Sequence, residues 1–372
     1  MGHFVSYMKP FLLFLVLFAI GNDSSISYGE KKEYEEEVII YTTYGYLDGD
    51  EWIVPMRIYV VEDRDYLESL VTGLIGWSQS LTQEEKEIFA SRISDFVKDS
   101  ESREEVIFVF ENDPQEEAFQ VQDDDGNYPR TNLNGIIEGH IRIPEARAEE
   151  LLDAQNSDTG WLEVRVVSDE HIGGGRIRLI EPAGLSVISD IDDTVKITGM
   201  PMGLNYIIRK TFLEEYVAAP GMADLYQTWS ESPFHYVSGT PWQFYRPLTA
   251  FLFSEEAGFP PGSMHMKFTP KNFGSRITWS TLSNLVTNEL VTYEQKLEQI
   301  STIFRHFPGR EFVLIGDSGE RDPEVYREIA RLYPDQVREI YIRDVINDRE
   351  LNPERLEGMA IIPAPTFERT DR

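Results

Sequence analysis

The sequence predicts an α/β protein in which a Rossmannoid parallel sheet follows a mainly β, sandwich-like N-terminal region. Up to about residue 181, short segments rich in Val, Ile, Tyr and Thr lie between turn signals, a pattern typical of antiparallel strands. From residue 182 onwards, apolar segments alternate with helical patterns, which indicates parallel strands connected by crossover helices. We therefore predict a β-rich domain over residues 30–181, a second domain over residues 182–362 and a C-terminal tail over residues 363–372.

The first region contains short predicted strands and one predicted helix. The strands are VIIYTTYGYL, EWIVPMRIYVV, EVIFVFEN, GIIEGHIRI, WLEVRVV and GRIRLIE. A capping box of Thr82 and Glu85 begins the helix, and its apolar residues recur on one stripe at Phe89, Ile93, Phe96 and Val97. Such a stripe indicates packing more often than function.

The second region contains five apolar segments that we interpret as the strands of the parallel sheet. They are LSVIS, FHYVS, SMHMKF, EFVLIG and REIYIR. In sheets of this kind, ligands bind beyond the carboxyl ends of the strands. The residues that follow each segment are therefore the candidate site residues.

The N-terminus has the pattern of a signal peptide over residues 1–29. Lys9 precedes a ten-residue apolar segment, Phe11–Ile20, and a polar stretch with small residues follows it. This segment is too short to span a bilayer but suits the apolar region of a secretion signal. We expect an exported protein, periplasmic or extracellular, and the alternative is an uncleaved interfacial anchor that keeps it membrane-associated.

Composition excludes several classes of function. The 65 acidic and 34 basic residues give a formal charge of -31, which repels nucleic acid at long range. The absence of cysteine excludes disulfides, thiolate metal sites and a cysteine nucleophile. Acidic runs such as residues 35–37 and 123–125 are typical of solvated turns, with cation binding as the alternative.

Polar residues follow three of the predicted strands. The segment LSVIS is followed by Asp190, Asp192 and Thr194. The segment FHYV is followed by Ser238 and Gly239, and the segment EFVLIG is followed by Asp317 and Asp322. Taken singly, these residues are typical of strand ends, caps and turns. Together they predict one site, because the ends of parallel strands meet at the same edge of a sheet.

A cation is needed beside these carboxylates, and Lys296 is the candidate. The segment Thr292–Gln295 reads as a capping box, which would place Lys296 in the first helical turn. A positive charge is disfavoured there by the helix dipole, so a negative neighbour is expected.

These residue types suit phosphoryl transfer through an aspartyl phosphate. One carboxylate attacks phosphorus, and a second moves protons to the leaving group and from water. A hydroxyl, backbone N–H groups and a lysine hold the phosphate oxygens. Hard oxygen ligands favour Mg²⁺ as the cofactor.

The same segments resemble the four motifs of the haloacid dehalogenase superfamily of phosphatases. They are VISDIDDT, HYVSGT, the lysine at position 296 and FVLIGDSGERD. A narrower resemblance, over about residues 184–345, is to the catalytic domain of the actin-patch-protein type of phosphatidate phosphatase. Its phrases are SDIDDTVKITG, VSGTPWQFYRPL, GFPPG, FVLIGDSGERDPEVY and IYIRDV.

The resemblance implies a role for each matching residue. Asp190 would be the nucleophile and a Mg²⁺ ligand, and Asp192 the general acid and base that also gives the metal its backbone carbonyl. Asp317 would complete the metal site. Ser238, Gly239 and Lys296 would bind the phosphate. Thr194 would support the loop of the nucleophile, and Asp322 would either bind the metal directly or support the residues that do. Asp193 has no role in the motif, and we expect it to cap a helix or to support its neighbours.

The resemblance also implies a hydrolase of lipid metabolism that converts phosphatidate to diacylglycerol and phosphate. Only 43 residues separate Thr194 from Ser238 and 57 separate Ser238 from Lys296, so we expect little cap over the site and possible peripheral contact with a lipid surface. Met200, Met202, Leu204 and Tyr206 are candidates for that contact, with core packing as the alternative. Candidates for head-group binding are Lys267, Lys271, Arg276 and Arg343.

Two other functions stay open at this point. One is an exported phosphatase of the same superfamily that acts on another phosphomonoester. The other is a non-catalytic binding protein in which the N-terminal region binds the partner. The sequence predicts phosphatidate phosphatase first because all the motif residues are present.

Overall fold

The computed structural model describes residues 36–62, 81–168, 171–269 and 289–367. The predicted signal segment, Lys271, Arg276 and the last five residues of the predicted tail lie outside these ranges. Tyr34–Arg372 form one compact unit. Among the described residues, no helix combines the length and the apolar character that spanning a bilayer requires.

The N-terminal half forms a β-sheet, and each strand predicted there is present. Its strands are β1 (Glu36–Ile40), β2 (Thr43–Asp48), β3 (Glu51–Glu62), β4 (Asp99–Ser100), β5 (Phe108–Phe110), β6 (Ile136–Pro144), β7 (Trp161–Val166) and β8 (His171–Leu179). Their alternating apolar residues pack into one core cluster, as expected for strands that bury one face.

The pairing of these strands corrects the predicted antiparallel sandwich. Both β1 and β2 lie antiparallel to β3 on one side and parallel to β8 on the other. The two edge strands of this mixed sheet, β5 and β6, are connected by the segment that contains Phe119 and Gln122. Phe119 forms a bridge with Phe108 of β5, and Gln122 forms a bridge with His140 of β6. We call this eight-stranded sheet the closed sheet. Alternation in the sequence reports which face is buried, but it does not distinguish one closed sheet from two packed sheets.

The second half confirms the predicted parallel sheet. Its strands are β9 (Ala183–Ser189), β10 (Phe234–Pro241), β11 (Gly262–Lys267), β12 (Gly309–Asp317), β13 (Val337–Asp344) and β14 (Ala360–Pro363). They lie in the order β11-β10-β9-β12-β13-β14, and each neighbouring pair is parallel. The sequence predicted all of them except β14.

Helices cover both faces of this second sheet. The described helices are α1 (Gln83–Val97), α2 (Glu145–Ala154), α3 (Leu204–Phe212), α4 (Met222–Gln227), α5 (Tyr245–Leu252), α6 (Glu289–His306), α7 (Asp322–Leu332) and α8 (Asp348–Leu351). One apolar cluster contains residues of α3, α4 and α5, and another contains residues of α6 and α7. Successive residues of β9 alternate between them, with Val187 in the first and Ile188 in the second.

Helix α1 belongs to the first region in sequence but packs against the second half. Its predicted capping box is confirmed, because the Thr82 side chain accepts from Glu85 N and the Glu85 side chain accepts from Thr82 N. Phe89 and Phe96 lie in the core cluster of the second half. The ring of Phe96 lies 5.0 Å from that of Phe244 in an edge-on contact. The packing role predicted for this helix is therefore confirmed.

A buried arginine fixes the connection between the two sheets. Arg310 on β12 donates to the carbonyl oxygens of Glu181, Ala183 and Leu185 and to Ser186 Oγ. Gly184 adopts a φ of 120° directly beneath this guanidinium, a conformation that favours glycine. These contacts hold the start of β9 beside β12.

We expect Arg310→Met to lower the free energy of unfolding by about 2 to 4 kcal/mol, because several buried acceptors lose their donor at once. Urea unfolding followed by circular dichroism measures this change. Arg305→Met, on the exposed side of α6, is the matched control, because the Arg305 side chain is 51% exposed and donates to Glu298 and Thr302 of its own helix. Equal unfolding midpoints for the two variants would contradict the role of Arg310.

Candidate active site

The predicted site residues meet at the carboxyl edge of the parallel sheet. Strand β9 lies between β10 and β12, so Asp190 directly follows the middle strand of the three. Ser238 lies in β10 and Asp317 ends β12. The topology therefore places three of the four motifs on adjacent strands.

Asp190 is buried and only one of its carboxylate oxygens is used. Its side chain is 1% exposed, and Oδ1 accepts from Lys296 Nζ at 2.8 Å. Within the described residues, Oδ2 is buried and has no hydrogen-bond partner. Burial raises the pKa of Asp190 well above its usual range, against the opposing effect of Lys296. A buried carboxylate oxygen without a partner is typical of a group that binds a ligand or a metal.

Lys296 is the cation that the clustered carboxylates require. Besides Asp190, its ammonium donates to Asp322 Oδ1 at 2.6 Å and to Glu320 Oε2 at 3.3 Å. Burial alone would lower the pKa of Lys296, but these carboxylates outweigh it and raise the pKa well above 10.5. The side chain therefore stays charged, as buried lysines do only beside anions.

The predicted location of Lys296 within its helix is wrong. Helix α6 already includes Glu289 and Thr292, so Thr292 is not the cap and Lys296 lies beyond the first turn. Gln295, predicted to close the capping box, instead donates to the carbonyl of Ser238 at 3.3 Å. The local sequence resembles a capping box, but the helix continues through it.

Asp190, Asp317 and Asp322 form a group that could hold a metal ion. Each offers an oxygen within 4.8 Å of the other two, and all three residues are buried. Asp317 Oδ1 accepts from Gly319 N, whereas its Oδ2 is buried and has no partner within the described residues. Two unpaired carboxylate oxygens in one buried cluster fit a divalent cation with oxygen ligands. Asp192 contributes no carboxylate to this group, and metal binding through its backbone carbonyl stays a prediction.

Asp192 lies beside a second buried lysine that the sequence analysis did not identify. Its Oδ1 accepts from Lys196 Nζ at 2.7 Å and from Thr198 Oγ1 at 2.6 Å, and its Oδ2 accepts from Thr240 Oγ1 at 2.7 Å. Burial would raise the pKa of Asp192, but Lys196 and the hydroxyl hydrogen bonds lower it to about 2. In this arrangement Asp192 is an anion that can accept a proton.

Ser238 and Gly239 lie next to Asp192 at the end of β10. Ser238 Oγ is buried and donates to Asp192 Oδ2 at 3.3 Å. A Cβ at position 239 would lie 2.6 Å from Thr292 Cγ2, so glycine permits the close approach of helix α6. Phosphate binding by these residues stays a prediction.

The structure gives Asp193 a role. Its φ of 55° is left-handed, a region that aspartate tolerates better than most residues. Its carboxylate accepts from the backbone N–H groups of Thr198, Gly199 and Met200, and Met200 begins a short 3₁₀ helix. Asp193 therefore fixes the loop that follows Asp190, in agreement with the capping role expected for it.

Thr194 is buried, and its Oγ1 has no hydrogen-bond partner among the described residues. Its side chain therefore makes no polar contact within the described chain. The supporting role that the motif implies for Thr194 stays a prediction.

A missed residue, Arg355, holds the loop that carries Asp317 and Asp322. Its guanidinium donates to the carbonyl oxygens of Ser318 and Glu320. The same group pairs with Glu324 and Asp348. No motif marks Arg355, because two of its acceptors are backbone carbonyls, which lie 37 and 35 residues away in sequence.

Glu320 and Lys267 lie at the open side of the site. Burial raises the pKa of Glu320 to about 7, although Lys296 opposes the shift. Burial lowers the pKa of Lys267, with Glu320 as the opposing charge. A narrow pocket that opens to solvent connects Lys296 to the surface. Its lining includes Thr292, Tyr293, Lys296, Glu320 and Arg321.

The structure corrects one candidate for head-group binding. Arg343 is 2% exposed and donates to the carbonyl of Asp193 at 2.6 Å, so it holds the loop instead of facing solvent. The apolar candidates for lipid contact are half-buried, and Leu204 packs against the core. Within the described residues, these side chains do not form an exposed apolar patch.

Comparison with known proteins confirms the resemblance for one segment of the chain. Residues 185–344 match the family model described as "Phosphatidate phosphatase APP1, catalytic domain". Phosphatidate phosphatase APP1 of Saccharomyces cerevisiae is 34% identical over 169 residues, which is 44% of this chain and 26% of that protein. An uncharacterized protein of Schizosaccharomyces pombe is 28% identical over 176 residues, which is 46% of this chain and 27% of that protein.

The matched segment spans about a quarter of the length of these curated relatives. Among solved structures, a β-glucuronidase of Ruminococcus gnavus is 13% identical to this chain, with a TM-score of 0.23. The match covers 86% of this chain and 46% of the β-glucuronidase chain. A second structure of the β-glucuronidase from this organism gives a TM-score of 0.23 and 11% identity, covering 91% of this chain and 64% of that one. Likenesses this low carry no argument about fold or function.

We expect Arg355→Met to weaken Mg²⁺ binding by about 10- to 100-fold, since loss of a group that orients metal ligands typically has this effect. Isothermal titration with MgCl₂ measures the dissociation constant. The matched control is Arg349→Met, because Arg349 is exposed on the neighbouring helix. Arg355→Lys should restore part of the affinity. If Arg355→Met bound Mg²⁺ as tightly as Arg349→Met, the positioning role would be wrong.

Proposed function

We propose that the chain is a metal-dependent phosphatidate phosphatase that releases phosphate through an aspartyl phosphate on Asp190. The observation that carries the proposal is the buried Asp190, with one oxygen on Lys296 and the other unpaired, within the segment that matches a phosphatidate phosphatase catalytic domain. That match supports a phosphoric monoester hydrolase. The parallel sheet with the four motifs at its edge supports a haloacid dehalogenase type of fold for this segment.

In the first step, a carboxylate oxygen of Asp190 attacks phosphorus and the bond from phosphorus to the ester oxygen breaks. Lys296 orients the attacking carboxylate through the 2.8 Å contact. The leaving oxygen takes a proton from Asp192, as general acid catalysis requires. Asp192 must be protonated for this step, and an arriving phosphate dianion favours that, since a nearby like charge raises the pKa of a carboxylate.

In the second step, water attacks the phosphorus of the aspartyl phosphate, and the bond to Asp190 breaks. Asp192 accepts the proton of that water and returns to the anion that Lys196 holds in the structure. Thr240 and Thr198 keep its two oxygens in place. The products are inorganic phosphate, the alcohol and the free carboxylate of Asp190.

We propose Mg²⁺ as the metal, held by Asp190 and Asp317 with Asp322 beside them. When bound, it would offset the negative charge that the carboxylates and the phosphate share. The hard oxygen donors favour Mg²⁺ over softer metals. Lys296 offsets part of the same charge from the opposite side of Asp190.

Three further proposals concern the setting of the site. Export of the chain is proposed from the N-terminal sequence. Peripheral contact with a lipid surface is proposed from the substrate that the relative's name states. A small cap over the site is proposed from the short intervals between motifs; between Thr194 and Ser238, the structure has α3, α4 and a 3₁₀ helix.

Two alternatives are less well supported. Hydrolysis of another phosphomonoester uses the same residues, and only the substrate distinguishes it. A non-catalytic binding protein does not require Asp190 and Asp317 to lie in one buried cluster, each with a carboxylate oxygen that has no partner within the described residues.

We expect Asp190→Asn to reduce phosphate release from dioctanoyl phosphatidate in detergent micelles by more than about a thousandfold, because the nucleophile is removed. EDTA should abolish the activity of the wild type, and excess MgCl₂ should restore it. Colorimetric detection of inorganic phosphate measures both effects.

Asp153→Asn is the matched control for this experiment, because Asp153 is exposed on α2. Full activity of Asp190→Asn, or of the wild type in chelator, would contradict the mechanism. Release from glycerol 3-phosphate without release from phosphatidate would favour the first alternative.

A further inference from the structure

Three side chains connect helix α1 to Asp192, and we call Arg92, Tyr216 and Lys196 the stacked row. Arg92 lies on α1, outside the segment that matches the catalytic domain. Its guanidinium carbon lies 3.3 Å from the ring centre of Tyr216. Lys196 Nζ lies 4.8 Å from the same ring centre and donates to Asp192 Oδ1 at 2.7 Å. The row therefore reaches from the first region of the chain to the proposed proton donor.

Burial makes the Tyr216 ring an important partner of Arg92. The Arg92 side chain is 7% exposed, and a cation removed from water needs acceptors or an aromatic face. Its Nη1 donates to the carbonyl of Thr211 at 3.4 Å. Its Nη2 lies 3.6 Å from a carboxylate oxygen of Glu215, whose side chain is 74% exposed. Both polar contacts are long, so the stacked ring contributes much of what holds the guanidinium in place.

Tyr216 also precedes the backbone segment that pairs with Lys196. Residues 217–219 lie alongside residues 195–197, and the two segments are joined by backbone hydrogen bonds on either side of Lys196. The Tyr216 ring contacts the ammonium of the same lysine. A residue that fixes the Tyr216 ring therefore limits the positions open to the Lys196 side chain.

Lys196 in turn limits the positions open to the carboxylate of Asp192. Its ammonium donates to Thr198 Oγ1 at 2.6 Å as well as to Asp192, and Thr198 Oγ1 donates to the same carboxylate oxygen at 2.6 Å. A lysine has a flexible four-carbon stem, so its ammonium keeps one position only where neighbouring groups hold it. A small displacement of a group that transfers a proton lowers the rate steeply.

We infer that Arg92 and Tyr216 are positioning residues for proton transfer by Asp192, because they hold Lys196 and Lys196 holds the carboxylate. The inference rests on the proposed function, in which Asp192 protonates the leaving oxygen. It goes beyond that function by assigning a role to helix α1. Efficient release of a poor leaving group then depends on an arginine outside the matched catalytic segment.

The leaving group provides the kinetic test. The glycerol oxygen of dihexanoyl phosphatidate needs a proton as it leaves, whereas para-nitrophenolate leaves as an anion. We expect Arg92→Met and Tyr216→Leu to lower kcat/KM on phosphatidate about tenfold, because a displaced proton donor loses part of the rate that general acid catalysis supplies. On para-nitrophenyl phosphate, we expect kcat/KM to change less than about twofold.

Conservative variants and a matched control separate positioning from general loosening. Tyr216→Phe keeps the ring and Arg92→Lys keeps a cation beside it, so both should restore most of the wild-type ratio of the two kcat/KM values. Arg209→Met is the matched control, because Arg209 also joins α1 to α3, through Glu85 at 2.6 Å. It should keep the wild-type ratio. An unchanged ratio in both Arg92→Met and Tyr216→Leu would overturn the inference.

A spectroscopic measurement needs no catalysis and separates this inference from the proposed function. In protein with isotope-labelled lysine, NMR detects buried ammonium groups, and Lys196→Arg identifies the signal of Lys196. An aromatic ring shields the nuclei above its face, so we expect this signal to move downfield in Arg92→Met while the signal of Lys296 stays in place. If wild-type protein hydrolysed no phosphomonoester, the proposed function would fail, and the spectrum would still decide whether Arg92 positions Lys196. An unchanged Lys196 signal in Arg92→Met would overturn the positioning role.

Discussion

The buried ammonium of Lys296 is the interaction on which the site depends. Asp190 and Asp322 contact it at 2.8 and 2.6 Å, and Glu320 at 3.3 Å. Buried carboxylates this close repel one another and lose their hydration. Lys296 opposes the rise that burial causes in the pKa of Asp190 and of Glu320. One cation therefore holds the strand ends together and favours the carboxylate form of Asp190 that the proposed attack on phosphorus requires.

A second buried lysine divides the carboxylates into two groups with different properties. Lys196 pairs with Asp192 and lies 4.8 Å from the ring centre of Tyr216, a contact that holds its position. Asp190 has one oxygen free, whereas both oxygens of Asp192 are hydrogen-bonded. Two aspartates separated by one residue are therefore suited to different tasks, one to bond formation and the other to proton transfer. Asp193 completes the separation because it turns away and binds the backbone of the next loop.

The parts of this architecture that could be predicted from the sequence are those that local chemistry determines. Apolar strands followed by Asp190, Ser238 and Asp317 gave both the parallel sheet and the edge that carries the site, because the carboxyl ends of parallel strands meet at one edge. The capping box at Thr82 was also local and is confirmed. In contrast, the closed sheet depends on pairings between segments far apart in sequence, such as β1 with β8. Periodicity in either strand contains no information about its partner.

The missed site residues have the same explanation. Lys196 lies in the first motif, but a lysine in an apolar segment gives no sign that it will be buried against Asp192. Arg355 acts through backbone carbonyls, and an acceptor that every residue possesses leaves no pattern in the sequence. The start of α6 was misplaced because a capping sequence within a longer helix resembles a true cap. Each of these cases required the three-dimensional partners, which only the fold brings together.

The two halves of the chain are joined by contacts that also form the surroundings of the site. Tyr44 of the closed sheet bonds His306 of α6 at 2.9 Å, and Tyr245 of α5 bonds Thr42. Arg246, in the same helix as Tyr245, pairs with Glu37 of β1. These contacts join the closed sheet to the second half at several points, because α5 follows β10 and the end of α6 precedes β12. Tyr44 also lies 5.3 Å from the ring of His235 on β10, and it belongs to the core cluster that contains residues of α6 and α7. The closed sheet therefore contributes to the packed core that supports α6, the helix that carries Lys296.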